Sequence, residues 1–253
     1  MIQDSSHKSQ SDIHFQSNLY QSSNPTRRWM HSTRRNWVMS ALDKYSCRFL
    51  SALEVGTGCG IYTKRLAALS DDVTSIDINS DFVIAASIDN PTVTTLVSSV
   101  ETFSSTKPYD LILISEVLEH VSNTKIALHN LYQLLSEDGF LILTTPNKFS
   151  LPELVARLLK FPAVARLARS IYGEPVDELG HINLRTRTEL LQELEEQGFV
   201  VVETTDIGFY IPVIAEWGGE IGRSIIMRAE SMLGRSKLGR NLLWTQCYVL
   251  RKN

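Results

Sequence analysis

Two carboxylates and an imidazole lie close together in Ser115-Glu116-Val117-Leu118-Glu119-His120-Val121. Such a set can do three kinds of work. Glu116 and Glu119 can be loop residues that accept backbone N–H groups. His120 can be a general base, since an unperturbed imidazole titrates near pH 6.5. Glu116, Glu119 and His120 together can hold a divalent metal, magnesium or a transition ion, through two carboxylate oxygens and one ring nitrogen. The spacing alone leaves all three open. A second constellation comes earlier, in Leu53-Glu54-Val55-Gly56-Thr57-Gly58-Cys59-Gly60. Glycines at alternate positions let the backbone turn tightly and approach a ligand without side chains in the way. Further on stands Asp77, whose carboxylate can accept hydrogen bonds from both hydroxyls of a ribose. A third place is Gly180-His181-Ile182-Asn183, where a loop imidazole is either structural or a substrate contact.

These residues need a scaffold, and the apolar pattern supplies one. Phe49 to Val55 reads as a buried strand, and Ile61 to Leu69 as a helix packed on a sheet. Strand-like runs follow at Val73 to Ile78, Thr92 to Val97, Tyr109 to Ser115, Phe140 to Thr145, Phe199 to Thr205 and Leu242 to Leu250. Tyr109 to Ser115 is almost continuously apolar, as a strand covered on both faces should be. Helices are expected at Asn123 to Leu135, capped by Ser122 or Asn123, and at Thr188 to Gln197, closed by Gly198. Ser150 and Glu153 have the spacing of a capping box. In an open α/β sheet, ligands bind outside the carboxyl ends of the strands. The glycine loop, Asp77 and the Ser115–Val121 stretch all fall there.

Glu-x-Gly-x-Gly-x-Gly, with an acid closing the next strand, resembles the class I S-adenosylmethionine-dependent methyltransferases. The Glu116–His120 stretch is similar to the post-fourth-strand motif of the ubiquinone-biosynthesis O-methyltransferases and their relatives. The resemblance covers residues 48 to 206 and the last strand. It implies a Rossmann-like α/β fold with a seven-stranded mixed sheet, order 3-2-1-4-5-7-6, and helices on both faces. It implies S-adenosylmethionine as cofactor. The backbone of Glu54, Gly56, Thr57, Gly58 and Gly60 would surround its methionine part, and Asp77 its ribose. Ile78 and Val100 would sandwich the adenine, and Ser115 would lie beside the methionine. Ser99 stands where relatives carry an acid for the adenine amine. The likeness also implies a small-molecule acceptor methylated on oxygen, with His120 or His181 catalytic; the ubiquinone enzymes carry a metal at the positions of Glu116, Glu119 and His120, but the same residues recur in metal-free relatives and a metal is not favoured here. A nitrogen or carbon acceptor, and a catalytically silent binder of the same nucleoside, stay open. An NAD-dependent oxidoreductase would want glycine or alanine at 61, where this chain has Ile61.

The 253 residues carry a net charge of −3, which argues against bulk affinity for nucleic acid. Cys47, Cys59 and Cys247 are too few and too scattered for a disulfide framework or a zinc site. Without an apolar run long enough for a secretory signal or a membrane span, a cytoplasmic setting is expected. Residues 1–24, rich in Ser, Gln and Asn, are expected to be a disordered tail before one domain, 25–253. Pro25 to Leu42 reads as a helix with Trp29, Thr33, Trp37 and Ala41 on one stripe. It either lies across the sheet edge or covers the cofactor pocket with Trp29 or His31 near substrate. Helical insertions are expected at about 150–180 and 207–241. In the second, Ile221, Ile225, Ile226, Ala229, Met232 and Leu233 form one apolar stripe among arginines. Both insertions are basic in an acidic chain. They suit either a lid over the cleft or a peripheral contact with an anionic membrane that admits a lipid-like acceptor.

Overall fold

The computed structural model describes residues 22–45, 49–158 and 182–253. The expected tail up to residue 21, Cys47, most of the first insertion and His181 lie outside the described residues. The chain begins with α1 (Pro25–Tyr45), then β1 (Phe49–Val55), α2 (Thr63–Leu69), β2 (Ser70–Asp77), α3 (Ser80–Asp89), β3 (Thr94–Val97) and β4 (Tyr109–Ser115). It continues through α4 (Thr124–Leu134), β5 (Leu135–Pro146), α5 (Leu151–Leu158), α6 (Arg187–Glu196) and β6 (Phe199–Ile207). Last come α7 (Pro212–Trp217), α8 (Gly219–Leu233), α9 (Lys237–Arg240) and β7 (Thr245–Lys252). The strands form one seven-stranded sheet, order β3-β2-β1-β4-β5-β7-β6. β7 runs antiparallel to both its neighbours, and the other pairs are parallel.

The period-two alternation of the strands sorts their side chains between two faces. On β4, Ile112 and Ile114 join Leu128, Leu131, Leu190 and Leu194 in one core. Leu111 and Leu113 join Val38, Ala41, Leu42 and Leu66 in the other. Both faces are therefore covered, which is why the strand carries no polar residue between Asp110 and Ser115. The registers Val55↔Ile76, Val55↔Ile114 and Ser115↔Thr144 bring the carboxyl ends of β1, β2, β4 and β5 to one edge.

Several expectations shift. α1 packs on the central strands, not across the sheet edge. Its buried face is Thr26, Met30, His31, Val38, Ala41 and Leu42, rotated from the expected Trp29 stripe because the aliphatic residues fit the sheet more closely. Residues 22–24 belong to the ordered structure. Asn24 caps α1 by accepting from the N–H groups of Thr26 and Arg27, and its amide donates to the Ala215 carbonyl at 3.0 Å. Asn123 caps α4 as expected. On α4, Ala127 turns inward where Ile126 was expected, and Ile126 is half exposed. The Ser150–Glu153 capping box does not form. Ser150 Oγ is buried without a hydrogen-bond partner, and Glu153 accepts from the Trp244 indole N–H. The box that does form is Thr186 with Glu189, opening α6.

The apolar stripe of α8 divides. Ile226, Ala229 and Leu233 pack with Met30, Phe209, Tyr210, Leu243 and Trp244. Ile221, Ile225 and Met232 point outward.

Candidate active site

After β1 the chain makes three close turns. Gly56, Gly58 and Gly60 have φ of 84°, 49° and 73°, a region that side chains with a Cβ disfavour. The loop is pinned to β2, for Gly56 N–H donates to the Ile76 carbonyl at 2.8 Å and Thr57 Oγ1 shares a proton with Ser75 Oγ at 2.6 Å. Asp77 Oδ2 accepts from Gly58 N–H at 3.1 Å, and Oδ1 accepts from Asn79 N–H at 2.9 Å. The carboxylate is thereby oriented, and each oxygen keeps a lone pair for a ligand hydroxyl.

Glu54 lies beneath this loop with its side chain almost fully buried. Its Oε2 accepts from Thr63 Oγ1 at 2.6 Å and Ser75 Oγ at 2.7 Å, tying β1, α2 and β2 together. The side chain is thus a support of the loop, not a wall of the cleft. Burial, opposed by those two hydroxyls, pushes its carboxyl up to about 7. Between about pH 4.5 and 7 the folded chain holds a proton that the unfolded chain has released. Stability should therefore fall as pH rises through that window and level off above it, by on the order of 3 kcal/mol for this group. Glu119, also raised, adds a slope of the same sign. Urea denaturation of Glu54→Gln should show a shallower pH dependence than the parent; identical slopes would mean Glu54 is not the titrating group.

At the end of β4, Glu116 is the one described non-glycine residue with positive φ, 56°. Strain of this kind concentrates at functional sites. Its Oε2 accepts from Arg34 of α1 at 2.7 Å, and its Oε1 from Thr144 Oγ1 at 3.2 Å. Glu119 is buried. Its Oε2 accepts from Thr145 Oγ1 at 3.0 Å, and its Oε1 has no hydrogen-bond partner. Burial and then the nearby Glu116 charge raise its carboxyl well above the usual range. Its carbonyl accepts from the N–H groups of Ile182 and Asn183, both at 3.0 Å. His120 is partly exposed, side chain 42%, and its Nε2 lies 3.9 Å from Glu119 Oε1.

These placements bear on the metal set. One acid is committed to an arginine and the other is buried with its carboxyl raised, and no group of three His, Cys, Asp or Glu among the described residues could hold an ion. The three side chains do not fit a divalent metal as placed. The glycine turns and the oriented Asp77 do fit a nucleoside.

The other expected residues scatter. Ser115 Oγ pairs with Thr144 Oγ1 at 2.9 Å at the same strand edge. Ser99 closes a turn with Thr102 Oγ1 at 3.1 Å. Ile78 is exposed, while Val100 is turned into the core, so the pair does not present two facing walls. His31 is a core histidine. It packs edge-on to Trp244, and burial with the Arg34 and Arg27 charges lowers its pKa to about 3. Sequence reasoning missed Arg34. Four arginines line α1, and which one turns toward β4 depends on how the helix is rotated on the sheet. The strained backbone of Glu116 left no trace in residue type.

The sheet order, with β7 antiparallel between β5 and β6, and the glycine loop at the end of β1 define a class I methyltransferase fold. Residues 20–204 match the model of a methyltransferase-domain family, and the chain belongs to the class I S-adenosylmethionine-dependent methyltransferases. S-adenosylmethionine is the cofactor of that family. The ubiquinone biosynthesis O-methyltransferase of Rickettsia akari (strain Hartford) is 32% identical over 122 residues, 46% of this chain and 49% of that protein. The mitochondrial ubiquinone biosynthesis O-methyltransferase of Schizosaccharomyces pombe (strain 972 / ATCC 24843) is 26% identical over 196 residues, 74% of this chain and 69% of that protein. The chain thus spans about half the length of the Rickettsia relative. Among solved structures, the N-methyltransferase NodS from Bradyrhizobium japonicum WM9, in complex with S-adenosyl-L-homocysteine, superposes with a TM-score of 0.61 at 15% identity, covering 97% of each chain. The magnesium protoporphyrin IX methyltransferase of Synechocystis PCC 6803 gives 0.58 at 16% identity, covering 89% of this chain and 84% of that one. At such identities the likeness shows the fold alone.

Proposed function

We propose that this enzyme transfers the methyl of S-adenosylmethionine to a hydroxyl of a small, largely apolar acceptor. The observation that carries the reading is the partly exposed imidazole of His120, at the strand edge shared by the glycine loop and Asp77. The ubiquinone O-methyltransferase relatives support oxygen as the accepting atom. When bound, S-adenosylmethionine supplies an electrophilic methyl on sulfur with a good thioether leaving group. Asp77 accepts from the ribose hydroxyls, and the side-chain-free turns at Gly56, Gly58 and Gly60 admit the methionine part. Beside it lie the Thr57 backbone and Ser115. Ile78 and Ser99 border the adenine. His120 takes the acceptor proton on a ring nitrogen as the oxygen–carbon bond forms and the carbon–sulfur bond breaks. Alignment and exclusion of water supply most of the remaining acceleration. His181 is a second candidate substrate contact from its place in the sequence.

Labelled-methyl turnover over a panel of phenols, alcohols and amines tests the reading. Incorporation into hydroxyl acceptors supports it. Incorporation into amines only, or binding of the donor without turnover, overturns it. Asp77→Ala should weaken S-adenosylhomocysteine binding about 10- to 100-fold in calorimetry, as two hydrogen bonds to a charged group are lost. Unchanged affinity would remove Asp77 from the site.

A further inference from the structure

We propose that the outward face of α8 docks on an anionic membrane surface. It deepens the reading of an apolar acceptor and, for its biological sense, rests on it.

The face is defined by helix geometry. Ile221, Ile225, Arg228 and Met232 stand at i, i+4, i+7 and i+11, one side of the helix. Ile221 is 76% exposed, Ile225 49% and Met232 71%. A neighbouring side of the helix is already used, since Ile226, Ala229 and Leu233 pack inward. One helix therefore has two apolar stripes and one partner. Trp217 before it and Leu238 after it are also largely exposed. Isolated exposed aliphatics need no explanation, but a stripe of them along one helix does.

Charge selects the occupant. Residues 220 to 240 hold five bases against two acids. Glu230 faces inward, where its carboxylate accepts from the N–H groups of Gly208 and Phe209. Glu220 is paired with Arg223 at 2.7 Å. Arg228, Arg235 and Lys237 are exposed and form no ion pair among the described residues. An apolar stripe bordered by unneutralised cations fits a surface that is apolar beneath and anionic at its head groups. A helix of this length lies flat over about 22 Å. No helix among the described residues is long and apolar enough to cross a membrane, so contact through this face is peripheral. α8 shares a core with α1, and α1 reaches the end of β4 through Arg34 and Glu116. Docking through α8 thus holds the cleft beside the surface from which an apolar acceptor would come.

The test is co-sedimentation of the full chain with vesicles of phosphatidylcholine, with and without a third of phosphatidylglycerol, in the absence of donor and acceptor. The expected result is binding to the anionic vesicles that weakens with salt. Arg228→Gln/Arg235→Gln/Lys237→Gln should lower the partition coefficient about a hundredfold. Ile221→Asn/Met232→Gln should lower it at least tenfold. All these positions are exposed, and retained S-adenosylhomocysteine binding will show that the variants are folded. The proposal is overturned by no sedimentation with anionic vesicles, by equal binding to neutral ones, or by a concentration-dependent dimer that Ile221→Asn/Met232→Gln disperses, which would assign the stripe to a second copy. Because no methyl transfer is measured, failure here leaves the catalytic reading standing, and a failed acceptor panel leaves the docking result standing.

Discussion

His120→Ala is expected to lower kcat for a hydroxyl acceptor by about 10²- to 10⁴-fold, the usual contribution of a positioned general base. S-adenosylhomocysteine affinity should hardly change, because the imidazole lies outside the turns proposed to hold the nucleoside. The parent rate should rise with pH as the ring loses its proton, since only the neutral ring can accept one, and the variant should lose that limb. Acceptors with acidic hydroxyls should suffer least, because they ionise without help. The position of the ring supports the assignment. Its backbone N–H is tied to the Val117 carbonyl at 2.9 Å, which fixes the turn, while the side chain remains accessible. Glu119 Oε1, which has no hydrogen-bond partner, lies 3.9 Å from the ring. An unchanged kcat and pH profile would sink the base and favour an acceptor that needs none.

Gly56→Ala should have the largest effect on the fold of the site. A Cβ at this position would sit 2.2 Å from Val117 Cγ2, far inside van der Waals contact. Valine is β-branched and has few rotamers with which to move aside. The φ of 84° adds a penalty of about 1–2 kcal/mol for any residue but glycine. Overpacking typically adds about 1–3 kcal/mol, so the total should be about 2–5 kcal/mol in chemical denaturation, together with loss of nucleoside binding. The double variant Gly56→Ala/Val117→Ala separates the terms, relieving the clash but not the backbone strain. Recovery of only part of the stability is expected. Full stability and binding in the single variant would show that the turn is not fixed by its contact with the β4 loop.

This contact also brings the two constellations together. Gly56 belongs to the first strand end and Val117 to the fourth, and β1 and β4 are sheet neighbours. Nothing in their separation along the chain announces it.

The strands along the chain, their alternation and the glycine loop were legible from residue types, because each is a local consequence of burial or of backbone freedom, whereas the sheet order came only with the family resemblance. Phe49–Val55 and Tyr109–Ser115 are apolar runs bounded by turn residues, and they appear as strands with those same ends. What the side chains around the cleft do was not legible. Glu54 looked like part of the ligand loop and turned out to be its buried support, since only tertiary packing brings Thr63 and Ser75 to its oxygens. Glu116, Glu119 and His120 left three roles open in the sequence. They are separated in the fold by α1, which supplies Arg34 to the first, and by burial against β5, which raises the carboxyl of the second. The helical stripe of residues 221 to 233 was visible in the sequence as one surface. Only the docking of α8 on α1 decided that half of it is core and half faces solvent, because a periodicity records which residues share a face and not how many neighbours that face will meet.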